Sequence, residues 1–284
     1  MKIAIASGKG GTGKTSLATN LASFMAESRE VVLVDMDVEE PNAGIFIKGQ
    51  PVSSVNRYRA VPRRDNKKCE LCGKCQEVCN FHAITMLADE VVIFPGLCHG
   101  CYACAELCPA SAISMVKRKI GTTAVYAAGN IRFIENRLDV GEEQAVPLIS
   151  ASLKEVNDQY PDDAIIIMDA PPGTSCPFIE VVADADLVIL VSEPTPFGLH
   201  DLKLALKTLD IVNGHYVVVL NRHGTGNGEV ESFCAAQNIP LIAKIPASRK
   251  AAELCSRGRL MYPEIAETGR EIEKVARYIL SCKS

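Results

Sequence analysis

The first sixteen residues contain a glycine-rich loop with the residue types that bind phosphate. An apolar run at residues 3–6 is followed by the pattern G-x-x-x-x-G-K-T, which extends from Gly8 to Thr15. Glycines let backbone N–H groups turn toward phosphate oxygens, and the helix predicted after the loop adds partial positive charge. In this pattern the lysine reaches the β- and γ-phosphates and the threonine hydroxyl binds Mg²⁺. We therefore predict a site for ATP and Mg²⁺ formed by Gly8, Lys9, Gly10, Gly11, Thr12, Gly13, Lys14, Thr15 and Ser16.

A second group of reactive side chains is a cysteine repeat. Eight of the twelve cysteines lie in two copies of the spacing C-x2-C-x2-C-x3-C, which begin at Cys69 and Cys98, 29 residues apart. This is the spacing of bacterial ferredoxins, in which the fourth cysteine of each copy binds the cluster of the other copy. We predict one [4Fe–4S] cluster on Cys69, Cys72, Cys75 and Cys108, and a second on Cys98, Cys101, Cys104 and Cys79.

The first copy departs from the ferredoxin pattern at one position. Asn80 stands where the pattern has a proline, whereas Pro109 follows the second copy as expected. This difference removes no ligand. Zinc is the competing metal, because structural zinc also binds four cysteines, usually as two separated pairs. Three cysteines spaced by two residues favour a cluster over zinc.

A further lysine inside the loop, Lys9, makes the chain resemble the deviant-Walker family of dimeric ATPases, which includes MinD, ParA, the Mrp-type cluster carriers and the nitrogenase iron protein. The resemblance implies a nucleotide-sandwich homodimer in which Lys9 reaches the ATP of the second subunit. It implies that Asp37 orients or deprotonates the attacking water and that Asp169 binds Mg²⁺ through water. The Gly173 amide would sense the γ-phosphate, and the Asn221 side chain would read adenine. The expected catalytic residues are then Lys9, Lys14, Asp37 and Asp169.

The stretch from Asp35 to Asp37 also has a simpler interpretation. Strand ends often carry Asp, which caps the following loop through its side chain. The resemblance instead assigns Asp35 to the shell of groups around magnesium.

Strand and helix patterns alternate on both sides of the cysteine segment. Apolar runs predict strands, and 3.6-residue periodicity predicts the helices between them. This alternation predicts an α/β fold with a doubly wound, mostly parallel sheet, as in P-loop NTPases. The cysteine segment interrupts it, and the simplest account is an inserted α+β ferredoxin-like domain with two clusters. We expect a P-loop ATPase domain at residues 1–56 and 120–284 and the inserted domain at 57–119. Predicted strands are 31–34, 164–168, 187–191, 216–220 and 241–245, with a hairpin within 122–137; predicted helices are 14–27, 147–156, 200–211, 233–237 and 270–280.

Basic residues flank the inserted domain. They could dock an acidic redox partner, but a solvated linker is the simpler interpretation. They are Arg57, Arg59, Arg63, Arg64, Lys67 and Lys68 before the first copy, and residues 117–119 after the second.

Cys176 has two interpretations. It lies seven residues beyond Asp169, where the nitrogenase iron protein, which this chain resembles there, carries a cluster cysteine. Two copies of Cys176 could then meet at a dimer interface. A small buried cysteine is the favoured interpretation, because free cysteine is among the most buried residue types.

Composition excludes several classes of protein. The chain has 284 residues, 48% hydrophobic, with a formal charge of -4 and no tryptophan, which argues for a globular protein without a nucleic-acid surface. Apolar runs are too short to cross a membrane, and no secretory leader precedes the first strand. The helix at 270–280 is expected to dock on the core rather than anchor to a membrane. A cytoplasmic location follows, where twelve cysteines favour metal binding or catalysis over disulfides.

Three functions of different classes fit these features. The first is ATP-gated electron transfer to a redox partner. The second is a scaffold or carrier that passes clusters to an acceptor protein, and the third is a MinD- or ParA-like spatial organiser with redox-sensing clusters. We favour electron transfer, because eight ferredoxin-type ligands hold clusters tightly. The C-x-x-C pair of the Mrp-type carriers is absent, since Cys255 and Cys282 stand alone.

Overall fold

The computed structural model describes residues 1–212 and 214–282. Its strands are β1 (Lys2–Ala6), β2 (Val31–Asp35), β3 (Gln50–Arg64), β4 (Ile84–Leu87), β5 (Glu90–Ile93), β6 (Ile113–Ala128), β7 (Ile131–Leu138), β8 (Ile166–Asp169), β9 (Leu187–Ser192), β10 (Tyr216–His223) and β11 (Leu241–Pro246). Its α-helices are α1 (Lys14–Ala26), α2 (Ala43–Phe46), α3 (Lys74–Glu77), α4 (Ala103–Glu106), α5 (Val146–Gln159), α6 (Cys176–Ala183), α7 (Pro196–Ile211), α8 (Glu229–Ala236), α9 (Arg249–Ser256) and α10 (Ala266–Cys282).

One sheet contains nine strands in the order β11-β10-β9-β1-β8-β2-β7-β6-β3. The pairs from β11 to β7 are all parallel. Central strands such as β1 and β9 consist of buried residues along almost their whole length, as expected when helices cover both faces of a parallel sheet. The α/β class and the mostly parallel sheet predicted from the sequence are confirmed.

The chain divides into two compact units. The first comprises Met1–Val55, Thr123–Arg137 and Ile149–Ser284, and the second comprises Asn56–Thr122 and Leu138–Leu148. The second unit contains all eight cysteines of the repeat, and within it β4 pairs with β5 in an antiparallel hairpin. It also includes residues 138–148, which lie outside the range expected for the inserted domain.

Most elements lie near their predicted positions. The hairpin around Gly129 is confirmed, since β6 ends at Ala128 and β7 begins at Ile131. Helix α7 begins four residues earlier than predicted, because the Thr195 side chain accepts a hydrogen bond from the Gly198 N–H at 2.9 Å and caps its first turn. Helix α8 contains Phe233, as predicted, and begins after Gly228, which has a positive φ.

The linker interpretation is wrong for the flanking basic residues that lie in strands, whereas Lys67 and Lys68 lie in an exposed turn. Most of the segment before the first copy belongs to β3, a strand of 15 residues, and Lys117–Lys119 lie in β6, which has 16. Arg59 is only 7% exposed. Repeated cationic side chains concealed the strand, because they break the hydrophobic alternation that identifies one.

The C-terminal helix docks on the core of the first unit. Ile272, Val275 and Ile279 of α10 are buried and pack with the apolar residues of β1, β9 and α1. This confirms the predicted docking face. Among the residues that the structure describes, no helix is both long enough and apolar enough to span a bilayer.

The carboxyl ends of β2 and β8 meet in register, so Asp35 pairs with Asp169 across the two strands. Asn136 on β7 supports this edge, since its Nδ2 donates to the Asp35 carbonyl oxygen at 3.0 Å. Its Oδ1 accepts from the Thr123 hydroxyl at 2.8 Å. Asn136 is fully buried, so both hydrogen bonds lie away from water.

Replacing Asn136 by alanine is expected to lower the free energy of unfolding by about 2–4 kcal/mol, because each buried polar group that loses its partner costs about 1–3 kcal/mol. Urea denaturation measures the change. Arg137→Ala is the matched control on the same strand, because it removes only an exposed ion pair to Glu135 and should change stability by about 0.5 kcal/mol or less. Equal effects of the two substitutions would contradict the prediction.

Candidate functional site

The glycine-rich loop lies between β1 and α1, at the carboxyl edge of the parallel strands, where α/β sheets bind ligands. Gly13 caps α1 in the left-handed conformation with φ 95°. A β-carbon at this position would lie 2.3 Å from Asn221 Nδ2, so a larger residue would displace the Asn221 side chain, and the positive φ would strain it as well. Asn221 Nδ2 in turn donates to the Thr12 carbonyl at 2.8 Å, which ties the end of β10 to the loop.

A pocket of about 480 Å³ opens in front of this loop, within the size range of small-molecule sites. Its lining combines loop residues, the turns after β2 and β8, and a wall from β10, β11 and α9. The lining residues are Gly10, Gly11, Gly13, Lys14, Thr15, Ser16, Asp37, Glu40, Asn42, Ile45, Phe46, Pro172, Asn221, Arg222, Ile245, Pro246, Ala247, Ser248, Ala251, Ala252, Cys255 and Met261.

Two carboxyl groups lie beside this pocket in a buried environment. Burial raises the pKa of Asp35 well above its usual value, and the neighbouring charge of Asp169 raises it further. Burial also raises the pKa of Asp169 to about 7, although the Thr15 hydroxyl and the Lys14 ammonium act in the opposite direction. The register of β2 and β8 is the cause, because it brings both carboxyl groups together inside the protein.

Asp35 and Asp169 differ in their hydrogen-bond partners. Asp35 accepts hydrogen bonds from the backbone N–H groups of Ala43 at 2.9 Å and Asp37 at 3.1 Å. Asp35 therefore holds the turn after β2 and the start of α2. No hydrogen bond of normal geometry to either oxygen of Asp169 is found among the described residues, although Asp169 is only 1% exposed. The Thr15 hydroxyl is nevertheless close enough to lower its pKa. A buried carboxylate with unused acceptor capacity next to a threonine hydroxyl has the donor chemistry of a Mg²⁺ site.

The lysine of the loop lies against the same carboxyl groups. Lys14 is 6% exposed. Burial lowers its pKa, while Asp169, Asp37 and Asp35 raise it. Burial raises the pKa of Asp37, and the charge on Lys14 lowers it. The structure thus brings Lys14, Thr15, Asp37 and Asp169 together at one end of the pocket.

The second lysine of the loop bonds within its own chain. Lys9 Nζ lies 3.4 Å from Glu193 Oε2, and Glu193 Oε1 lies 2.5 Å from the Arg222 guanidinium. Arg222 also donates to the Gly11 carbonyl at 3.2 Å. One largely buried carboxylate, 9% exposed in its side chain, therefore binds two cations next to the loop. The sequence analysis did not identify Glu193, and no pattern around it signals this role.

Two other groups that were expected to contact the nucleotide form hydrogen bonds within the protein. The Gly173 N–H donates to the Ser7 carbonyl at 3.1 Å. Besides its contact with Thr12, the Asn221 side chain accepts from the Arg222 N–H at 2.9 Å. Ser16 Oγ lies 3.7 Å from Cys255 Sγ, which places a thiol in the pocket wall.

The structure gathers the eight repeat cysteines into two groups of four. The first group lines a small cavity of about 20 Å³ and consists of Cys69, Cys72, Cys75 and Cys108. The second group lines another cavity of about 20 Å³ and consists of Cys79, Cys98, Cys101 and Cys104. Each group therefore takes three cysteines from one copy of the repeat and the fourth from the other.

Thiol pKa values reflect the same grouping. Burial raises the pKa of Cys104 to about 11, and the neighbouring Cys98, Cys101 and Cys79 raise it further. Burial likewise raises the pKa of Cys75, with contributions from the charges of Cys69 and Cys108. No three or more His, Cys, Asp or Glu side chains within residues 1–212 and 214–282 surround a point where a single metal ion could bind.

The buried-cysteine interpretation of Cys176 is wrong. Its side chain is exposed, at the first residue of α6. The interpretation failed because it relied on the average burial of cysteine, whereas this residue follows a turn at the sheet edge rather than lying on an apolar helix face.

The fold and the pocket define a nucleotide-binding α/β protein with a P-loop. The sequence model of the CobQ/CobB/MinD/ParA nucleotide binding domain matches residues 3–261. A relative in Methanocaldococcus jannaschii, the uncharacterized protein MJ0578, is 37% identical over 229 residues, which cover 80% of each chain. The chain therefore belongs to the CobQ/CobB/MinD/ParA family of nucleotide-binding domains.

Two more distant relatives have names that state a function. The iron-sulfur cluster carrier protein of Aquifex aeolicus is 22% identical over 306 residues, covering 99% of this chain and 68% of the carrier. Among solved structures, the septum site-determining protein MinD of Pyrococcus horikoshii, in complex with Mg-ADP, matches with a TM-score of 0.62 and 20% identity. That match covers 100% of this chain and 98% of MinD, and it shows a shared fold.

The raised pKa of Asp169 predicts a pH dependence of stability for the metal-free protein. In the unfolded chain this group releases its proton near pH 3.8, but in the folded protein only near pH 7. Between these values the unfolded state binds fewer protons, so the free energy of unfolding falls as the pH rises from about 4 to about 7. Asp169→Asn should remove this part of the fall in urea denaturation curves recorded across that range.

Asp158→Asn provides the control, because it neutralises an exposed carboxylate on α5 and should retain the wild-type fall. A fall of wild-type size in Asp169→Asn would contradict the assignment.

Proposed function

We propose that the protein is an ATP-hydrolysing homodimeric switch that couples its nucleotide state to two [4Fe–4S] clusters and gates electron transfer to a redox partner. The observation that carries this proposal is the grouping of eight thiols into two sets of four, in the same chain as a P-loop pocket. Each set mixes the two copies of the repeat, as bacterial ferredoxins do.

The nucleotide half of the proposal is supported by the residues of the pocket. The loop, Lys14 and Thr15 would hold the phosphates. The pocket wall that contains Asn221 would hold the base. A MinD of known structure, which shares this fold, is in complex with Mg-ADP. Adenine is a suitable base, because the side chain of Asn221 offers both a donor and an acceptor once its contacts to the chain are released.

Hydrolysis would use the charged groups at the loop end of the pocket. Mg²⁺ would neutralise negative charge on the phosphates, with Thr15 and Asp169 as the residues that hold it. Asp37, half-buried beside Lys14, is the candidate to orient the attacking water. The Lys14 ammonium would stabilise the charge that develops on the transferred phosphoryl group.

Lys9 is the candidate contact to a second subunit. A nucleotide held across a dimer interface would compete with Glu193 for the Lys9 ammonium. The homodimer therefore requires the ion pair between Lys9 and Glu193 to open. Formation of the dimer would in this way depend on the triphosphate.

Iron–sulfur clusters fit the donor sets of the second unit. Four thiols line each space, and backbone N–H groups already point at three of the sulfur atoms: Ala83 N to Cys79 Sγ, Gly100 N to Cys98 Sγ and Ala112 N to Cys108 Sγ, each at 3.3 Å. When bound, such clusters supply one-electron transfer. A cubane attaches its four thiolates to four separate iron atoms, so its ligands need not surround one point as zinc ligands do.

A cluster carrier is the second candidate function. The Aquifex aeolicus relative, whose name describes a cluster carrier, supports it. The eight repeat cysteines favour resident clusters, because each cluster would be held by four thiolates from two separate parts of the chain. Transfer of iron from the reconstituted protein to an apo-ferredoxin acceptor, measured with and without Mg·ATP, separates the two functions.

The two loop lysines should separate binding from hydrolysis. Lys14→Ala is expected to lower ATP hydrolysis by at least about 100-fold, because it removes a cation at the developing charge. Lys9→Ala should retain nucleotide affinity within about threefold but lose hydrolysis and ATP-dependent dimerisation. Phosphate release, equilibrium dialysis of ATP and light scattering measure the three properties.

Lys154→Ala, at an exposed position on α5, is the control and should behave as wild type. Hydrolysis in Lys9→Ala at the wild-type rate would exclude a role for this lysine. No nucleotide binding by the wild-type protein would overturn the ATPase proposal as a whole.

The cysteine groups predict which substitutions affect the same cluster. Anaerobically purified protein should hold about eight iron and eight sulfide per chain, four of each per cluster. Cys79→Ala and Cys98→Ala should remove the same EPR component of the reduced protein, whereas Cys75→Ala and Cys108→Ala should remove the other. Each variant should retain about four iron.

Cys282→Ala, at an exposed position outside both groups, should retain all eight iron. If Cys79→Ala and Cys75→Ala removed the same component, the cross-copy grouping would be wrong. Zinc in place of iron, measured by elemental analysis of the same samples, would overturn the redox proposal.

A further inference from the structure

A buried charged group holds the turn that carries the first cysteine of the second copy. Arg59 on β3 donates through one amino group to the Cys98 carbonyl, and through the other to the Pro95 carbonyl at 2.8 Å. Gln144 Nε2 donates to the Gly96 carbonyl at 3.2 Å. Three carbonyl groups of one short turn thus accept hydrogen bonds from two side chains, and the Arg59 side chain is only 4% exposed.

This group carries a net positive charge. Glu142, whose side chain is 5% exposed, pairs with Arg59 at 3.0 Å and also with Arg118. Two guanidinium groups and one carboxylate leave one positive charge. Arg118 is 38% exposed, so water screens its charge, whereas Arg59 lies inside the protein next to the Cys98 turn.

The corresponding turn of the first copy is held differently. There Asp65 accepts hydrogen bonds, at its side chain from the Lys67 N–H at 2.9 Å and at its backbone carbonyl from the Cys69 N–H at 3.1 Å. The cations that line the space of the first group, Arg64 and Lys74, are more exposed to water: both are half-buried, and Lys74 is paired with Glu77. No cation as buried as Arg59 lies among the residues described there. The repeat is regular in its cysteines, but the two copies differ in how deeply the neighbouring cation is buried.

The approach of the chain to β3 also differs between the copies. Gly100, two residues after Cys98, has φ 67°, and a β-carbon there would lie 3.1 Å from the Ala60 carbonyl oxygen. Leu71 occupies the corresponding position after Cys69 with φ 55°, a strained value for a branched side chain. Glycine lets the Cys98 turn lie directly against β3, where Arg59 reaches it.

We propose that Arg59 is a positioning residue that fixes Cys98 and raises the reduction potential of the cluster on Cys79, Cys98, Cys101 and Cys104. This inference rests on the two clusters of the proposed function. Reduction adds one negative charge to a cluster, and a buried cation together with hydrogen bonds at the ligands favours that charge. In the second group, the N–H groups of Ala83 and Gly100 lie 3.3 Å from the sulfur atoms of Cys79 and Cys98.

The consequence is an order of reduction. A single electron from a low-potential one-electron donor would reside on the cluster of the second group, while the cluster of the first group stays oxidised. Addition of a second electron reduces the first group. No covalent bond is formed or broken in either step.

The test is an anaerobic redox titration of the holoprotein with dithionite and mediators, monitored by EPR. It is carried out on wild type, Arg59→Gln and Arg59→Lys, each also combined with Cys75→Ala so that only the second-group cluster remains. Arg59→Gln should reduce the ratio of reduced to oxidised second-group cluster about tenfold at a fixed potential, or about 59 mV for one electron. The first-group cluster should not change.

Arg118→Gln is the matched control, because it removes a cation from the same carboxylate without touching the turn. It should shift the second-group cluster by less than half as much. Arg59→Lys retains the charge but cannot reach both carbonyls, and its shift should be intermediate and confined to the same cluster. The Arg59→Lys variant also decides the test if Arg59→Gln assembles with fewer than eight iron atoms per chain.

Three results would overturn the inference: unchanged potentials in both Arg59 variants, a shift of the first-group cluster instead, or an equal shift in Arg118→Gln. Wild-type protein purified without iron would instead overturn the clusters of the proposed function. The iron assay therefore distinguishes failure of the proposal from failure of the inference.

Discussion

The parallel pairing of β2 with β8 is the constraint on which the nucleotide pocket depends. Its register places Asp35 opposite Asp169 at the carboxyl ends of two buried strands. Two neighbouring carboxyl groups away from water are costly unless cations or hydrogen-bond donors approach them. Lys14, the backbone amides of the turn after β2 and the Thr15 hydroxyl meet that need in part. The oxygens of Asp169 keep unused acceptor capacity, so this end of the pocket is where a bound cation would be most stabilising.

The second unit depends on a different constraint. Its buried apolar clusters are small, one formed by Ile84, Val91, Cys104 and Ile113 and the other by Val61, Ala83 and Cys98, and cysteines belong to both. Other buried apolar residues of this unit, such as Ile120 and Leu148, lie outside these two clusters. Small clusters of this kind gain stability from cross-links. The crossing of the two repeat copies would provide them, because each set of four thiols joins segments distant in sequence.

The sequence predicted well what short motifs specify and poorly what long-range contacts specify. The loop, the strand ends and the cysteine spacing depend on local geometry, so the pocket and the two cysteine groups could be expected from the residues alone. Glu193 and Arg59 could not, because their roles depend on partners such as Lys9, Arg222 and Glu142 that are remote in the chain. The burial of Cys176 was misjudged for a different reason, because residue type says little about the exposure of a position at a turn.

The arrangement around Glu193 has a consequence for how easily the loop can change state. A carboxylate bonded to one cation would be left as a buried unpaired charge if that cation departed, and such a charge is strongly unfavourable. Here Arg222 remains on the other oxygen of Glu193 when Lys9 is drawn away. Arg222 would thus remain as a counterion of Glu193 if Lys9 left to bind a nucleotide, as proposed above, and the penalty of a buried unpaired charge would be avoided. The ion pair of Lys9 with Glu193 could therefore open at a low cost in free energy.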